Sequence, residues 1–582
     1  MMRAPVFRLA TTLPLLTILL VLALMWPSAA PAADWDRDVL RVGVLEEPKS
    51  LNPWLAGDSW SSHVQALLYQ PLYLREPAEL KPAPWLAAEP PVFDPQALTY
   101  TVRLRPARWS DGSPLTAADV VFTAELIQAL KVPRFASLFA ALKQVEALDQ
   151  QTVRFKLSRP DASFAARALG APVLSQAQWR PVLEQCRLTQ RPLASLLQYK
   201  LEDPLSNGPF VLAEWRKGVY LYLKRNPHFF GQGLTIAGRK LGPEISGVVF
   251  KVYGTSDAAV LALRKGTIDY YWNNVQPGYL RDLTRDPAVR LVQSQKSALY
   301  FLGFNLRRLP TGEAAFRRAV ALLIDKQFVI KRVLQGAGEV MSSLLPAGNR
   351  FYHLNTVPDY DQPLTRRQRI DQAVEILAGA GFSWDQRPAW EGDHLRPGRG
   401  LRDPEGNPLR ELSILTPPAD YDPQRAMVGV MAQEWLGQVG IPAFARPMAF
   451  GAMLEQVKSR REFDMFVLGY GNLPLDPGWL GAFFLGANDR PRGWNMSGYH
   501  SPEFDSLANQ AGRAMDPQER QPLVQEMQRI LMKDTPFLPL YNPTLTEALR
   551  EDRFSGWVEM VGGVGNLWTF CELTPRAGRA RP

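Results

Sequence analysis

Cysteine is nearly absent: Cys186 and Cys571 are the only two in 582 residues, too few for a disulfide framework. Neither lies near the amino terminus, so a lipid-anchored amino-terminal cysteine is excluded. Whether the two pair is left open, because sequence gives no distance between them. Histidine is scarce too, and His63, His228, His353, His394 and His500 are scattered. No His-Glu-x-x-His, Cys-x-x-Cys or Gly-x-Ser-x-Gly pattern occurs, which removes the recognisable carriers of zinc, dithiol and serine-hydrolase chemistry. The stretch GLTIAGRKL at 233–241 imitates a phosphate loop, but Arg239 replaces its lysine and no Ser or Thr follows, so it reads as an ordinary loop.

Beyond the amino terminus, no apolar run approaches the ~18 residues that suggest a membrane span. Basic runs are missing as well. The net charge of +9 is spread along the chain apart from short pieces such as Arg366, Arg367 and Arg369, which argues for a solvated surface and against nucleic acid as a partner.

What the chain does have is aromatic surface and length. Sixteen Trp and a hydrophobic fraction of 46% mark a folded protein, and 582 residues are too many for one ordinary core. Arg3 and Arg8 precede an apolar run from Leu13 to Trp26, and small residues ending Ala30-Pro31-Ala32-Ala33 follow. That order reads as a cleaved signal peptide, residues 1–33, cut near Ala32/Ala33 to leave a periplasmic protein. Its removal takes Arg3 and Arg8 and lowers the charge from +9 to +7.

Strands are expected at 39–44, 98–104, 151–158, 248–253, 300–306, 412–416 and 463–471, with a hairpin turning at Lys217-Gly218. Helices are expected at 61–69, from Thr116 with a capping box to Asp119, at 257–265, 314–333, 369–380 and 424–439. Repeated strand–helix alternation predicts an α/β fold with mixed sheets and ligands at the carboxyl-terminal strand edges. The Asp111-Gly112 turn and the Asn226-Pro227 corner are explained by backbone geometry alone.

The segments LTYTVRLRPARWSDGSPLTAADVVFTAELI, SNGPFVLAEWRKGVYLYLKRNPHFFG, AAVLALRKGTIDYYW, FRRAVALLIDKQFVIKRVLQGAGE, GYHSPEFDSLANQA and MQRILMKDTPFLPLYNP resemble the signature blocks of family 5 extracellular solute-binding proteins. That family includes the oligopeptide- and dipeptide-binding components of ABC importers. The resemblance implies a two-lobed α/β periplasmic binding protein with mixed sheets, a hinge and an extra inserted α+β lobe. Carried onto this chain, lobe one comprises 34–78, 205–295 and 534–582, the inserted lobe 79–204, and the second ligand-binding lobe 296–533. It further implies a monomer that catalyses nothing and needs no cofactor or metal. Such a protein captures a small solute in the interlobe cleft and delivers it to an ABC permease of the inner membrane.

The loop following the last of those strands, VLGYGNLPLDPGWLGAFFLG at 467–486, is the leading candidate for solute contact. In peptide-binding relatives the matching loop carries an Asp three positions before an Asp-Pro step. Here the step is Asp476-Pro477, and Leu473 stands where that Asp would be. Either Asp476 serves instead or the solute lacks the amine. The expected ligand contacts are Trp60, Trp272, Tyr300, Tyr470, Asn472, Asp476, Trp479 and Trp494, with Trp54 nearby. Such aromatics stack on sugar rings or line pockets for peptide side chains. Peptide is the family's default solute and oligosaccharide the alternative. A secreted hydrolase or a non-transport interaction protein is the competing class.

Overall fold

The computed structural model describes residues 35–55, 58–354 and 364–576. The expected signal peptide lies outside the described residues. Among those described, no helix is long and apolar enough to cross a membrane.

A twelve-stranded mixed sheet organises the molecule; only its strands are numbered. Strand β1 (Val39–Val44) is followed by the hairpin β2 (Phe210–Arg216) and β3 (Tyr220–Arg225), then by β4 (Gly247–Val252), β5 (Tyr270–Tyr271) and β6 (Val289–Gln295). The next are β7 (Leu299–Phe304), β8 (Gly338–Val340), β9 (Leu412–Thr416), β10 (Ala443–Pro447) and β11 (Met465–Tyr470). The last is β12 (Phe537–Arg550), fourteen residues long. Their order across the sheet is β2-β3-β4-β1-β5-β12-β7-β11-β9-β10, with β6 and β8 also paired to β12.

Sequence dictates much of this. Val39, Leu40, Val42 and Val44 are all buried, as a strand flanked by parallel partners requires, and β1 runs parallel to both β4 and β5. The β2–β3 turn uses Gly218 at φ +73°, a conformation that glycine adopts without Cβ strain. Thr116 and Asp119 form the expected capping box at the head of helix Ala117–Leu130. Residues 92–157 build a separate four-stranded antiparallel sheet, in the order Val92–Asp94, Thr99–Arg103, Thr152–Leu157, Leu142–Ala147.

Two expectations are corrected and one strand is added. The helix expected over 314–333 ends at Leu323, because the Asp325 side chain accepts from Phe328 N at 2.8 Å and starts a new turn. The 233–241 loop is a tight hairpin, Thr235–Ile236 against Arg239–Lys240, with Ala237 and Gly238 both at positive φ. Strand β12 had no counterpart among the sequence-based expectations. The two cysteines, left undecided by sequence, are buried free thiols.

Two large apolar cores result. One gathers β1, the 92–157 region and Trp568 and Phe570 near the carboxyl end. The other gathers residues between Leu299 and Tyr541. A third, smaller cluster packs Leu263, Ile268 and Tyr271 against Ala548. Strand β12 serves all three, through Leu538 and Tyr541, Ala548, and Leu549.

Asp269 is the polar lock of the first half. Fully buried, it accepts from Arg41 N at 2.8 Å, from Arg41 Nη2 at 2.7 Å and from Arg553 Nη1 at 2.7 Å, tying β1 to the carboxyl-terminal region. Asp269→Ala strands two guanidinium groups beside a void, and we expect it to cost about 3 kcal/mol, read as a lower urea midpoint at unchanged slope.

Candidate functional site

Parallel strands finish on a common edge. In one half β1, β4 and β5 end at Val44, Val252 and Tyr271; in the other β9, β10 and β11 run parallel and end at Thr416, Pro447 and Tyr470. The segments leaving those ends carry Trp60, Trp272, Asn472, Asp476 and Trp479, at the edge where open α/β sheets bind ligands.

Segments from both edges meet the crossing between the halves. After β5, Asn274 Oδ1 accepts from Thr546 N at 2.9 Å, and Val275 N donates to Thr546 O at 2.7 Å. After β11, Leu473 N donates to Ser297 O at 2.6 Å. The crossing itself, residues 296–298 with 542–547, is cross-linked by Asn542 Nδ2 donating to Lys296 O at 2.8 Å.

The structure sorts the expected contacts into separate groups. Trp60 is half-buried, with its ring 5.8 Å from that of Trp272 and 5.4 Å from that of His63. His63 stacks on Trp272 at 4.5 Å, and burial holds its imidazole down at about 4, hence neutral at pH 7. Trp272 itself is 6% exposed and packs on Phe570, so most of its ring is core. Across the crossing, Tyr470, Trp479 and Trp494 converge on Phe483 at 4.9, 5.2 and 5.5 Å. Trp479 is buried, whereas Trp494 is 48% exposed beneath Lys458 Nζ at 4.0 Å. Tyr300 stands apart, stacked on Tyr541 at 4.7 Å, and Asn472 is exposed. Trp54 is core, edge-on to Trp179 at 5.7 Å.

Asp476 is buried and occupied. Its oxygens accept from Arg520 Nη1 at 2.7 Å and Nη2 at 3.2 Å, from Ser163 Oγ at 2.8 Å and from Gly478 N at 2.9 Å. Burial opposes its charge, but these donors outweigh that and hold its pKa below the usual carboxylate value. A solute ammonium would have to displace Arg520 to use it.

Sequence reasoning missed a neighbouring group. Asp422 caps helix Pro423–Gln438 and accepts from Arg425 Nε at 2.7 Å. The Arg425 guanidinium lies 5.9 Å from the Tyr421 ring and 5.3 Å from the Phe450 ring, which stack on each other at 5.1 Å. Asp422 and Arg425 act electrostatically on both Tyr300 and Tyr541, and the buried Tyr541 hydroxyl has no partner. The available signal was the Asp422-Pro423 step soon after a strand, a helix-start pattern. Among the described residues no cluster suited to holding a metal ion occurs.

A family model described as bacterial extracellular solute-binding proteins, family 5 Middle, matches residues 81–491. The chain is 25% identical to the oligopeptide-binding protein AppA of Bacillus subtilis, over 94% of this chain and 96% of that one. It is 23% identical to the probable D,D-dipeptide-binding periplasmic protein DdpA of Escherichia coli, covering 92% and 93%. Among solved structures, HbpA2 from Haemophilus parasuis matches with TM-score 0.74 at 20% identity, over 93% of this chain and 100% of that one. AppA in complex with a nonapeptide matches with TM-score 0.63 at 24% identity, over 92% and 99%. The two-lobed α/β architecture implied by the sequence resemblance therefore holds.

The crossing carries one titratable group of consequence. Glu547 is fully buried, accepts from the Tyr270 hydroxyl and from Val564 N at 2.7 Å, and burial raises its pKa from 4.5 to about 7. The fold thus favours the protonated acid, so the stability it contributes is whole below about 4.5 and is lost as pH rises through about 7. Between pH 5 and pH 8, wild type should lose up to roughly 3 kcal/mol relative to Glu547→Gln, measured as the difference between their urea-unfolding free energies.

Proposed function

We infer the function from family membership: the chain belongs to the bacterial extracellular solute-binding proteins of family 5. As such, it is the periplasmic solute-binding component of an ABC importer, capturing a peptide-like solute between two lobes and passing it to an inner-membrane permease. The observation that carries this reading is the family match across 81–491. The names of the relatives support a peptide-like solute, since AppA of Bacillus subtilis is an oligopeptide-binding protein and SapA of Salmonella typhimurium a peptide transport periplasmic protein. The protein catalyses no reaction, acts as a monomer, and reaches the periplasm by losing residues 1–33.

In this reading the lobes are 34–78 with 205–295 and 534–582, the insertion 79–204, and 296–533. They hinge at residues 296–298 and 542–547. The solute rests against Trp60, Tyr300, Tyr470, Asn472 and Trp494, which retain exposed surface. Buried Trp272 backs Trp60, buried Trp479 packs with Tyr470 and Trp494 around Phe483, and Asp476 holds the loop that presents Asn472. Closure is a population shift, driven by contacts that the solute makes only when both lobes surround it.

A thermal-shift screen of the purified protein against dipeptides, oligopeptides and oligosaccharides tests the solute class, because a ligand that binds only the folded state raises apparent stability. Stabilisation by peptides is expected; stabilisation by oligosaccharides alone would overturn the peptide reading. For the peptide that stabilises most, Trp60→Ala and Asn472→Ala should each weaken binding about tenfold in calorimetry. Unchanged affinity in both would place the solute elsewhere.

A further inference from the structure

Between strand Tyr73–Arg75 and the start of helix Pro517–Asp534 lies a cavity of about 380 Å³, within the range of small-molecule sites. It is walled from two sides. Ala162 and Ala166 come from the 92–204 region, and Leu475, Asp476 and Arg520 come from the other half. The two sides are fastened by Ser163 Oγ donating to Asp476 and by Ala162 N donating to Gly512 O at 3.0 Å.

The charges in its lining do not balance. Asp476 is matched by Arg520, and Glu79 by Lys81 at 2.5 Å. Arg75 is left over. Its Nη1 donates to Leu80 O at 2.7 Å, and the carboxylate that acts on it electrostatically is Asp476, already occupied. Burial penalises that unpaired guanidinium and lowers its pKa. Arg520 also lines this cavity; it is 3% exposed, and its buried Nε has no acceptor. The remaining wall includes Leu80, Phe351 and Met515, which are apolar.

One surplus positive charge with a planar donor fork suits one carboxylate; a phosphate dianion would call for more compensation than Arg75 supplies. We propose that this cavity is a second binding site, which takes a monocarboxylate with a short apolar body. The carboxylate pairs with Arg75, and the tail rests on Leu80, Phe351 and Met515. Because residues from both sides build the walls, an occupant strengthens the contact between them. The carboxylate belongs either to a separate small acid or to the carboxyl end of the solute itself. The proposal does not rest on which solute the main cleft binds.

The test is isothermal titration calorimetry of the purified protein with sodium hexanoate, and with hexanamide as the uncharged isostere. Saturable binding of hexanoate, and hexanamide at least about tenfold weaker, is expected. Arg75→Met should lose about tenfold in hexanoate affinity, and Ala166→Phe, which fills the cavity while keeping the charge, should abolish binding. Absence of saturation up to about 10 mM, equal affinity for the amide, or binding unaltered in Ala166→Phe overturns the proposal. Should Arg75→Met fail to fold, the amide comparison and Ala166→Phe decide by themselves. Competition between hexanoate and a peptide that stabilises the protein assigns the carboxylate to the solute; simultaneous binding assigns it to a separate acid.

Discussion

One backbone, residues 537–550, must satisfy sheet pairing on both sides of the molecule, and much else follows from how it does so. Its first part pairs antiparallel with β7 and its last part with β5 and β6. The halves cannot separate without bending this strand or the short β6–β7 link of residues 296–298. Two strands crossing together resist shear yet tolerate rotation, because few dihedrals have to change. In and beside the crossing, Ser294 Oγ, the Tyr541 hydroxyl and Asn542 Oδ1 are buried without a hydrogen-bond partner.

Two buried carboxylates, one beside that strand and one within it, show how neighbours decide the role of a charge. Asp269 receives two arginines and a backbone amide, so it works as a charged clamp. Glu547 receives one hydroxyl and backbone amides, with Lys296 a weaker influence, so burial prevails and the neutral acid is favoured. The clamp fastens β1 rigidly within one half. Glu547 sits in the crossing, where burial disfavours a fixed charge.

Hydrophobic periodicity made the parallel strands and amphipathic helices legible, since β1, β9 and β11 are runs of Val, Leu, Ile, Met and Phe buried on both faces. Strand β12 was not legible for a definite reason. Pro539 and Pro543 argue against a central strand, and the structure accommodates Pro539 beside a bulge where the pairing shifts between Tyr300 and Phe301. The helix break at Asp325 was hidden because one capping aspartate inside an apolar pattern looks like an ordinary polar position. For the candidate site, turn residues and aromatics after strands picked out loops that leave the carboxyl-terminal strand ends. For Trp272 the inward-facing position was decided by a partner distant in sequence, Phe570.

The loop at 471–478 offers a solute no free carboxylate. Leu473 is buried in the second core, and its amide is tied to Ser297, so position 473 anchors the loop to the crossing and offers no charge to a solute. Asp476 is neutralised by Arg520, and Asp422 by Arg425. Carboxylates that might have met an ammonium are therefore committed to arginines of the same chain, and releasing one would leave a buried guanidinium unpaired at a cost of several kcal/mol. What these loops still offer a solute is aromatic surface, exposed amides such as Asn472, and backbone. Recognition built from those groups selects by shape and apolar area more than by charge, and its strength depends on how completely the lobes exclude water around the solute.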